Sequence, residues 1–403
     1  MDTFDLIRRY QLLGLRFDRI EEGFVDAFTG DPALRAAVDD EPAPHPAELA
    51  RTAAALRAEV LAATDLAERR RDFIAAHLRA LECSARKFAG EEIGFVDEVE
   101  AYFDVRIGLG DQDRYREAHR TLDEVLDGHG SVEQRLQAFR AADEIPPERL
   151  DECVQAFSSA LRDRVRKVYP LPEQETVDYR IVTDKPWSGF NYYLGEFKST
   201  VAINADLKQR MANLPHLIAH EAYPGHHTEH CRKEGGLVAA GEDEQTLFLV
   251  NTPQCLMAEG LADLALEAIV GPGWGAWARE IFADLGLRFA GEQAERIADA
   301  SAQLIGVRQD AALMLHDRGR SEDDVAAFLQ RWTLVTPDRA RQQLRFLTSP
   351  LWRAYISTYV EGYRLLGEWL ADRPEGVGGA ERFGRLLDEP LLPSHLRAEL
   401  AAV

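Results

Sequence analysis

The chain has 403 residues, of which 46% are hydrophobic and 29% are charged. This length provides for one large domain or two ordinary ones around a substantial buried core. The formal net charge of −22 argues against nucleic acid or an anionic membrane surface as the main partner, because either would repel the chain. The composition is that of a folded soluble protein.

Cysteine usage and the N-terminal residues indicate a cytoplasmic protein. Cys83, Cys153, Cys231 and Cys255 are widely spaced and form no Cys-x-x-Cys pair, as expected of reduced thiols. The N-terminal segment carries charges every few positions and lacks the apolar stretch of a signal peptide. It also contains no apolar run long enough for a membrane span, and neither does the rest of the chain. The sequence does not indicate an oligomeric state.

The chain is predicted to be mainly helical. Ser131 is a predicted N-cap that begins a capping box. Two later helices are predicted to begin at Thr336-Pro337 and at Ser349-Pro350, since each pair offers an N-cap followed by proline. Apolar residues recur every three or four positions through 3–26, 46–62, 65–104, 112–127 and 146–168.

Residues 169–204 differ, because they are rich in proline, tyrosine, valine and threonine. Within them "DYRIVT" and "FKSTVAIN" are predicted strands, and helix resumes near residue 206. We divide the chain softly into a helical N-terminal part, 1–170, and a catalytic part, 171–403; one continuous domain is an equal alternative. "FKSTVAIN" fits an edge strand that would hold an extended peptide by backbone pairing, and Asn204 at its end is a candidate substrate contact.

Histidines are concentrated in one segment, with five of the 11 lying between residues 216 and 230. "HEAYPGHH" departs from the His-Glu-x-x-His zinc helix, because Pro224 stands where the second histidine would be. Pro224 and Gly225 should distort the helix, since proline lacks the N–H that would bond to the carbonyl of His220. The distortion would bring a later histidine to the face of His220. The candidates for this second ligand are, in order of preference, His226, His227 and His216.

A zinc site with an open position needs a third protein ligand. The segment "MAEGLADLALE" places Glu259 and Asp263 four residues apart, and the apolar positions around them indicate a buried helix. Glu259 is the candidate ligand and Asp263 the candidate brace for His220. Glu221 is the candidate general base, because a carboxylate beside a metal-activated water is an arrangement for hydrolysis.

At these residues the chain resembles the bacterial domain-of-unknown-function family 885, which is assigned to the zincin-like metallopeptidases. The resemblance rests on "HEAYPGHH" and on "EG" at 259–260, and it extends loosely over 186–370. It implies a mainly α, zincin-like fold: a large helical domain with a small β-sheet next to the His-Glu helix. It also implies that His220, His226 and Glu259 bind Zn2+ and that Glu221 is the base.

The chain departs from the family pattern at several positions. Leu261 replaces the tryptophan that relatives carry after Glu-Gly, and Leu351 and Trp352 replace a Gly-Gln pair. These departures put any transfer of substrate contacts in doubt. In the same segment, "SPLWRAYISTYVEG", Tyr359 is a candidate for a hydroxyl that stabilises the transition state, with Tyr355 as the alternative.

Together these features predict a zinc metallopeptidase that acts on small peptides, of carboxypeptidase or dipeptidase type. "RARQQLRF" and "WRAY" supply arginines that could bind a terminal carboxylate bidentately, and Arg345 and Arg353 are the candidates. Two alternatives stay open: a metal-dependent enzyme acting on a non-peptide metabolite, and a non-catalytic helical protein with a structural metal. The substrate, the cleavage end and the native metal are not determined by the sequence.

Overall fold

The structure, a computed structural model, describes residues 3–185 and 187–402. Helix accounts for 64% of the chain and strand for 8%, which confirms the mainly helical fold class. Within the described residues, none of the helices combines the length and apolarity that crossing a bilayer requires. The strands are β1 (Val25–Phe28), β2 (Thr176–Val182), β3 (Gly189–Gly195), β4 (Lys198–Asn204) and β5 (Leu247–Leu249).

The helices of the described residues fall into those before the three-stranded sheet and those after it. The first group is α1 (Thr3–Asp18), α2 (Pro32–Asp39), α3 (Pro46–Ala62), α4 (Glu68–Phe88), α5 (Phe95–Phe103), α6 (Gln112–Val125), α7 (Val132–Ala142) and α8 (Leu150–Val168). The second group begins with α9 (Leu214–Glu221), α10 (His226–Lys233), α11 (Pro253–Asp263), α12 (Ala265–Ile269), α13 (Trp274–Asp284) and α14 (Gly291–Ala302). It ends with α15 (Val307–His316), α16 (Glu322–Thr333), α17 (Pro337–Thr348), α18 (Ile356–Ala371), α19 (Gly379–Asp388) and α20 (Pro393–Ala401).

Two of the three predicted helix starts are confirmed. Ser131 caps α7 in a complete capping box, and the Thr336 side chain accepts the N–H of Arg339 at the start of α17. The third was wrong, because Ser349 is the C-cap of α17 and α18 begins only at Ile356. The intervening turn is held by tertiary contacts, among them a 3.0 Å hydrogen bond from Asn251 Nδ2 to the carbonyl of Leu351.

Near the N-terminus, the apolar periodicity of the sequence predicts helices that are longer than those in the structure. The helix predicted over 3–26 ends at Asp18, whose carboxylate accepts the N–H groups of Gly23 and Val25 and so stabilises a turn. The chain then forms β1, which pairs with β5 antiparallel. The helix predicted over 65–104 is likewise divided into α4 and α5, because Gly90 adopts a φ of 89°, outside the helical region.

A three-stranded sheet lies beside α9, and its order is β2-β4-β3. The segment "FKSTVAIN" was predicted to be an edge strand, and this was wrong: β4 is the central strand, parallel to β2 and antiparallel to β3. Its β-branched residues suit a strand that is paired on both sides. The edge next to α9 is β3, which was not predicted, and Asn191 of β3 donates a 2.7 Å hydrogen bond to the carbonyl of Glu221.

The hydrophobic core is continuous across the expected boundary near residue 170. Tyr10 and Leu78 before the boundary and Leu256 and Trp369 after it belong to the same buried cluster. The division into an N-terminal and a catalytic part therefore stays a prediction, and both parts supply side chains to one interior.

Helices α11 and α18 touch through their backbones at two glycines. A Cβ placed on Gly260 would lie 2.6 Å from the carbonyl carbon of Gly362, and one on Gly362 would lie 2.7 Å from the carbonyl oxygen of Leu256. Only glycine permits this separation, since a side chain would have to displace backbone atoms. The contact places Glu259 on α11 close to Tyr355, the N-cap residue of α18.

We predict that Gly362→Ala destabilises the protein by about 1–3 kcal/mol, because the added methyl group collides with the backbone of α11. Gly367→Ala in the same helix is the matched control, since its Cβ would meet only Leu264 Cδ2 at 3.9 Å. The control should be neutral or slightly stabilising, because alanine favours helix over glycine. Denaturant unfolding measures both variants, and equal stability of the two would contradict this account of the contact.

Candidate metal centre

The helix that carries His220 ends immediately after Glu221, and a new helix begins at His226. Pro224 has no N–H to continue the first helix. A Cβ on Gly225 would lie 1.8 Å from the carbonyl oxygen of His220, so only glycine fits at this position. The predicted distortion at Pro224-Gly225 is confirmed, and it is a complete break between two helices rather than a bulge within one.

The break brings three potential ligand atoms together. Nε2 of His226 lies 3.1 Å from Nε2 of His220. Oε2 of Glu259 lies 3.3 Å from Nε2 of His220 and 4.0 Å from Nε2 of His226. All three atoms are within 4.8 Å of one another. The structure thus brings together His220, His226 and Glu259, the three residues that the sequence predicts as metal ligands.

The composition of this group fits a zinc ion. Two imidazole nitrogens and one carboxylate oxygen are a ligand set of catalytic zinc sites that keep an open position. Oε2 of Glu259 is buried and has no hydrogen-bond partner within the described residues, which is costly unless a cation neutralises it. Nδ1 of His220 lies 3.0 Å from Oδ1 of Asp263, the arrangement in which an outer carboxylate would orient this histidine if it bound a metal.

Carboxylates around the two histidines favour positive charge at this position. Burial alone would lower the pKa of His220, but Asp263 and Glu259 hold that pKa well above its ordinary value. Asp26, on β1, was missed by sequence reasoning; burial and the charge of Glu259 raise its pKa to about 7. No local pattern in the sequence marked Asp26, because β1 reaches the centre through tertiary folding. The electrostatics of the centre therefore favour a bound cation.

Glu221 lies beside the group without belonging to it. Its side chain is 6% exposed, and burial, followed by the charges of Glu259 and Asp26, raises its pKa to about 7. A Cβ on Gly189 would lie 3.0 Å from Oε1 of Glu221, so the glycine at the start of β3 makes room for this carboxylate. The carboxylate of Glu221, at the end of α9, thus lies against the edge strand β3.

The two candidate tyrosines occupy different positions. Tyr355 donates a 2.7 Å hydrogen bond to Oε1 of Glu259 and so fixes that carboxylate. Tyr359 is half-buried, with its ring 5.7 Å from that of Tyr355. Burial, followed by the charges of Glu259, Asp263 and Glu221, raises the pKa of Tyr359 well above its ordinary value. Tyr359 therefore lies within electrostatic range of the centre and keeps its proton at neutral pH.

The other two histidine candidates lie apart from the group. His227 is fully buried, with Nε2 3.0 Å from Oε2 of Glu175 and Nδ1 2.8 Å from Oγ of Ser199. His216 packs edge-on against the ring of Trp274, with centroids 4.6 Å apart. Neither belongs to the set of ligand atoms described above.

The predicted substrate contacts are engaged elsewhere or face solvent. Asn204 is buried and donates to the carbonyls of Lys185 and Trp187, which holds the loop before β3. Arg353 forms an ion pair with the buried carboxylate of Glu98, at 3.1 Å between Nε and Oε2. Arg345 is exposed on α17. As substrate contacts, all three stay predictions.

Glu175 is a second buried carboxylate that sequence reasoning missed. Its Oε1 accepts from Arg162 at 2.6 Å and from Arg166 at 2.7 Å, and its Oε2 accepts from Tyr223 at 2.8 Å. Burial alone would raise its pKa, but these bonds and that of His227 lower the pKa to about 2. The network ties α8 to the segment between α9 and α10, so it supports the helix break from outside.

Comparison with known proteins shows the fold but not a family. No protein-family model and no curated protein matches the chain. The resemblance to family 885 therefore rests on its motifs, and the expected cytoplasmic location stays a prediction.

Solved structures similar to this chain were found at low sequence identity. A protein described as a lipoprotein from Colwellia psychrerythraea is 15% identical, with a TM-score of 0.58 over 87% of this chain. This chain spans 65% of the length of the Colwellia protein. A second protein described as a lipoprotein, of unknown function, from Shewanella oneidensis is 14% identical, with a TM-score of 0.53 over 92% of this chain and 76% of that one. The M32 carboxypeptidase from Deinococcus radiodurans R1 is 12% identical, with a TM-score of 0.43 over 98% and 94% of the two chains.

We predict that Glu175→Gln lowers stability at neutral pH and flattens its pH dependence in acid. The unfolded carboxyl has a pKa near 4.5 and the folded one about 2. The stabilisation is therefore complete above the unfolded value and is lost as pH falls through the folded value. Urea unfolding midpoints across this range test the shape, with Glu173→Gln in the exposed part of the same loop as control. Parallel curves for wild type and Glu175→Gln would contradict the prediction.

Proposed function

We propose that the protein is a zinc-dependent hydrolase that cleaves small peptides, of carboxypeptidase or dipeptidase type. The observation that carries the proposal is the grouping of His220, His226 and Glu259 with Glu221 beside them and outside the ligand set. A structural zinc normally has four protein ligands, often cysteines. A three-residue group next to a buried carboxylate outside that group favours catalysis over that role.

In this proposal, three residues bind the metal and two others orient them. His220, His226 and Glu259 would hold the zinc, Asp263 would orient His220, and Tyr355 would orient Glu259. When bound, the zinc would supply Lewis-acid polarisation of a carbonyl and would lower the pKa of a water.

Glu221 is the proposed general base. Its burial and raised pKa suit a carboxylate that accepts a proton from water and then returns it to a leaving amine near neutral pH. Tyr359 would donate a hydrogen bond to the oxygen on which negative charge develops, because its hydroxyl is protonated and lies within electrostatic range of the base.

Strand β3 is the proposed support for an extended peptide. Within the described residues its backbone pairs with β4 on one side only, and its first residue lies against Glu221. The strand exposes Tyr192 and Leu194, with 42% and 62% of their surfaces accessible. A peptide that added a strand at this edge would run past the general base.

Zinc content is the first test. We expect about one zinc per chain in the wild type and little in His220→Ala, His226→Ala or Glu259→Ala, because each removes a ligand. His216→Ala on the same helix should keep the metal, and Asp263→Asn should weaken zinc affinity by about 10- to 100-fold. Elemental analysis after dialysis reports the content, and undiminished zinc in the three ligand variants would refute the ligand set.

Turnover is the second test, on substrates found by screening a peptide library with mass spectrometry. Glu221→Gln should keep zinc and fold but lose about 100-fold or more in kcat, because the proton acceptor is gone. Tyr359→Phe should keep zinc with a smaller loss in kcat.

The outcomes separate the alternatives. Near-normal turnover by zinc-loaded Glu221→Gln would end the hydrolytic assignment. Zinc-dependent turnover of amides or lactones, with no peptide cleaved, would favour the non-peptide enzyme. Zinc binding without any turnover would favour a structural metal.

A further inference from the structure

The segment between α17 and α18 carries a residue that contacts the candidate metal centre. It comprises residues 349–355, called the connecting turn below, and most of it is a series of turns. Its last residue is Tyr355, whose hydroxyl donates a 2.7 Å hydrogen bond to Oε1 of Glu259. The direction of that hydroxyl therefore depends on the contacts that hold the connecting turn in place.

Helix α5, from the N-terminal part of the chain, contacts the connecting turn at two side chains. Arg353 forms an ion pair with Glu98, with 3.1 Å between Nε and Oε2, and its guanidinium lies 5.9 Å from the ring centroid of Phe95. The ring of Tyr355 packs edge-on against Phe103, with centroids 6.5 Å apart. Phe95 and Phe103 are the first and last residues of α5, so the contacts with the turn extend along the whole helix.

The ion pair of Arg353 is shielded from water on its acidic side. Glu98 is fully buried, and its second partner is Lys87 of α4. The attraction between these charges is screened less than that of a surface pair. Removing the charges from water offsets much of this attraction, so a buried ion pair often adds little net stability. Its main effect here is then to hold Arg353, and with it the connecting turn, in one position.

The connecting turn is also tied to the helix that carries the hydrogen-bond acceptor. Nδ2 of Asn251, just before α11, donates to the carbonyl of Leu351 at 3.0 Å. Helix α5 itself packs against α11. One helix of the N-terminal part therefore contacts both the turn that carries Tyr355 and the helix that carries Glu259.

We propose that Arg353 is a positioning residue: its ion pair with Glu98 fixes the connecting turn, so that Tyr355 holds the Glu259 carboxylate in the orientation that binds zinc. Arg353 acts through Tyr355 and touches neither the metal nor the substrate. This inference rests on the proposed function, because it takes Glu259 as a zinc ligand. It also gives α5, which lies far from the His-Glu helix in the sequence, a part in the metal centre.

Zinc affinity, measured by competition with a chelator, tests the inference. Tyr355→Phe removes the hydrogen bond to Glu259 and should weaken zinc binding by about 10-fold, the lower end of the range for the outer partner of a ligand. Arg353→Leu leaves Lys87 as the partner of Glu98, and its loss should be no larger than that of Tyr355→Phe. Arg353→Lys keeps the charge and should lose less. The double variant of Arg353→Leu with Tyr355→Phe should bind zinc as weakly as Tyr355→Phe alone, because both changes act on the same hydrogen bond.

Arg364→Leu is the matched control. It removes an ion pair of α18 with Glu361 in which the arginine is exposed, and it should leave zinc affinity unchanged. Unchanged affinity in Arg353→Leu or in Tyr355→Phe would overturn the inference. Losses that multiply in the double variant would also overturn it, because the two residues would then act independently.

Unfolding of the metal-free protein separates failure of this inference from failure of the proposed function. A wild type that binds no zinc would refute the function. The positioning role would still predict that Arg353→Leu shifts the urea midpoint less in the Tyr355→Phe background than in the wild type. Equal shifts in both backgrounds would overturn the positioning role. Circular dichroism checks that each variant is folded, and Arg353→Lys serves in the same comparisons if Arg353→Leu does not fold.

Discussion

The candidate centre depends on a short interruption between two helices. In a continuous helix, a residue six positions after His220 would face a different direction. Here α9 ends at Glu221 and α10 begins at His226, so the two imidazole nitrogens come within 3.1 Å of each other. Gly225 makes the interruption sterically possible, because a side chain at this position would collide with the His220 carbonyl. The interruption also leaves Glu221 at the end of the first helix, next to the three candidate ligands and outside their group.

Close backbone approach at glycines positions the remaining groups. The contact between Gly260 and Gly362 joins α11 to α18, and thereby sets Glu259 beside Tyr355, which donates a hydrogen bond to it. Gly189 has a similar effect on the other side, where it lets β3 approach Glu221. These contacts explain why glycine recurs beside the charged residues of the centre: each one admits a backbone or a carboxylate where a side chain would exclude it.

Charge is distributed unevenly in this strongly acidic chain. Around the two histidines, buried carboxylates raise the pKa of His220, and Oε2 of Glu259 has no hydrogen-bond partner within the described residues, so the centre favours positive charge. Burial strengthens this field, because the low dielectric screens it less than water would.

The sequence by itself determined the mainly helical class, the caps at Ser131 and Thr336, the nominated ligands and the distortion at Pro224, because these follow from local chemistry and short spacing. Tertiary structure alone decided what depends on contacts between distant segments. It made "FKSTVAIN" the central strand and β3 the edge, since strand order is set by non-local pairing. It directed His227 to Glu175, which lies 52 positions away in the chain. It also brought Asp26 of β1 within range of Glu259 and Glu221, which no local pattern could reveal.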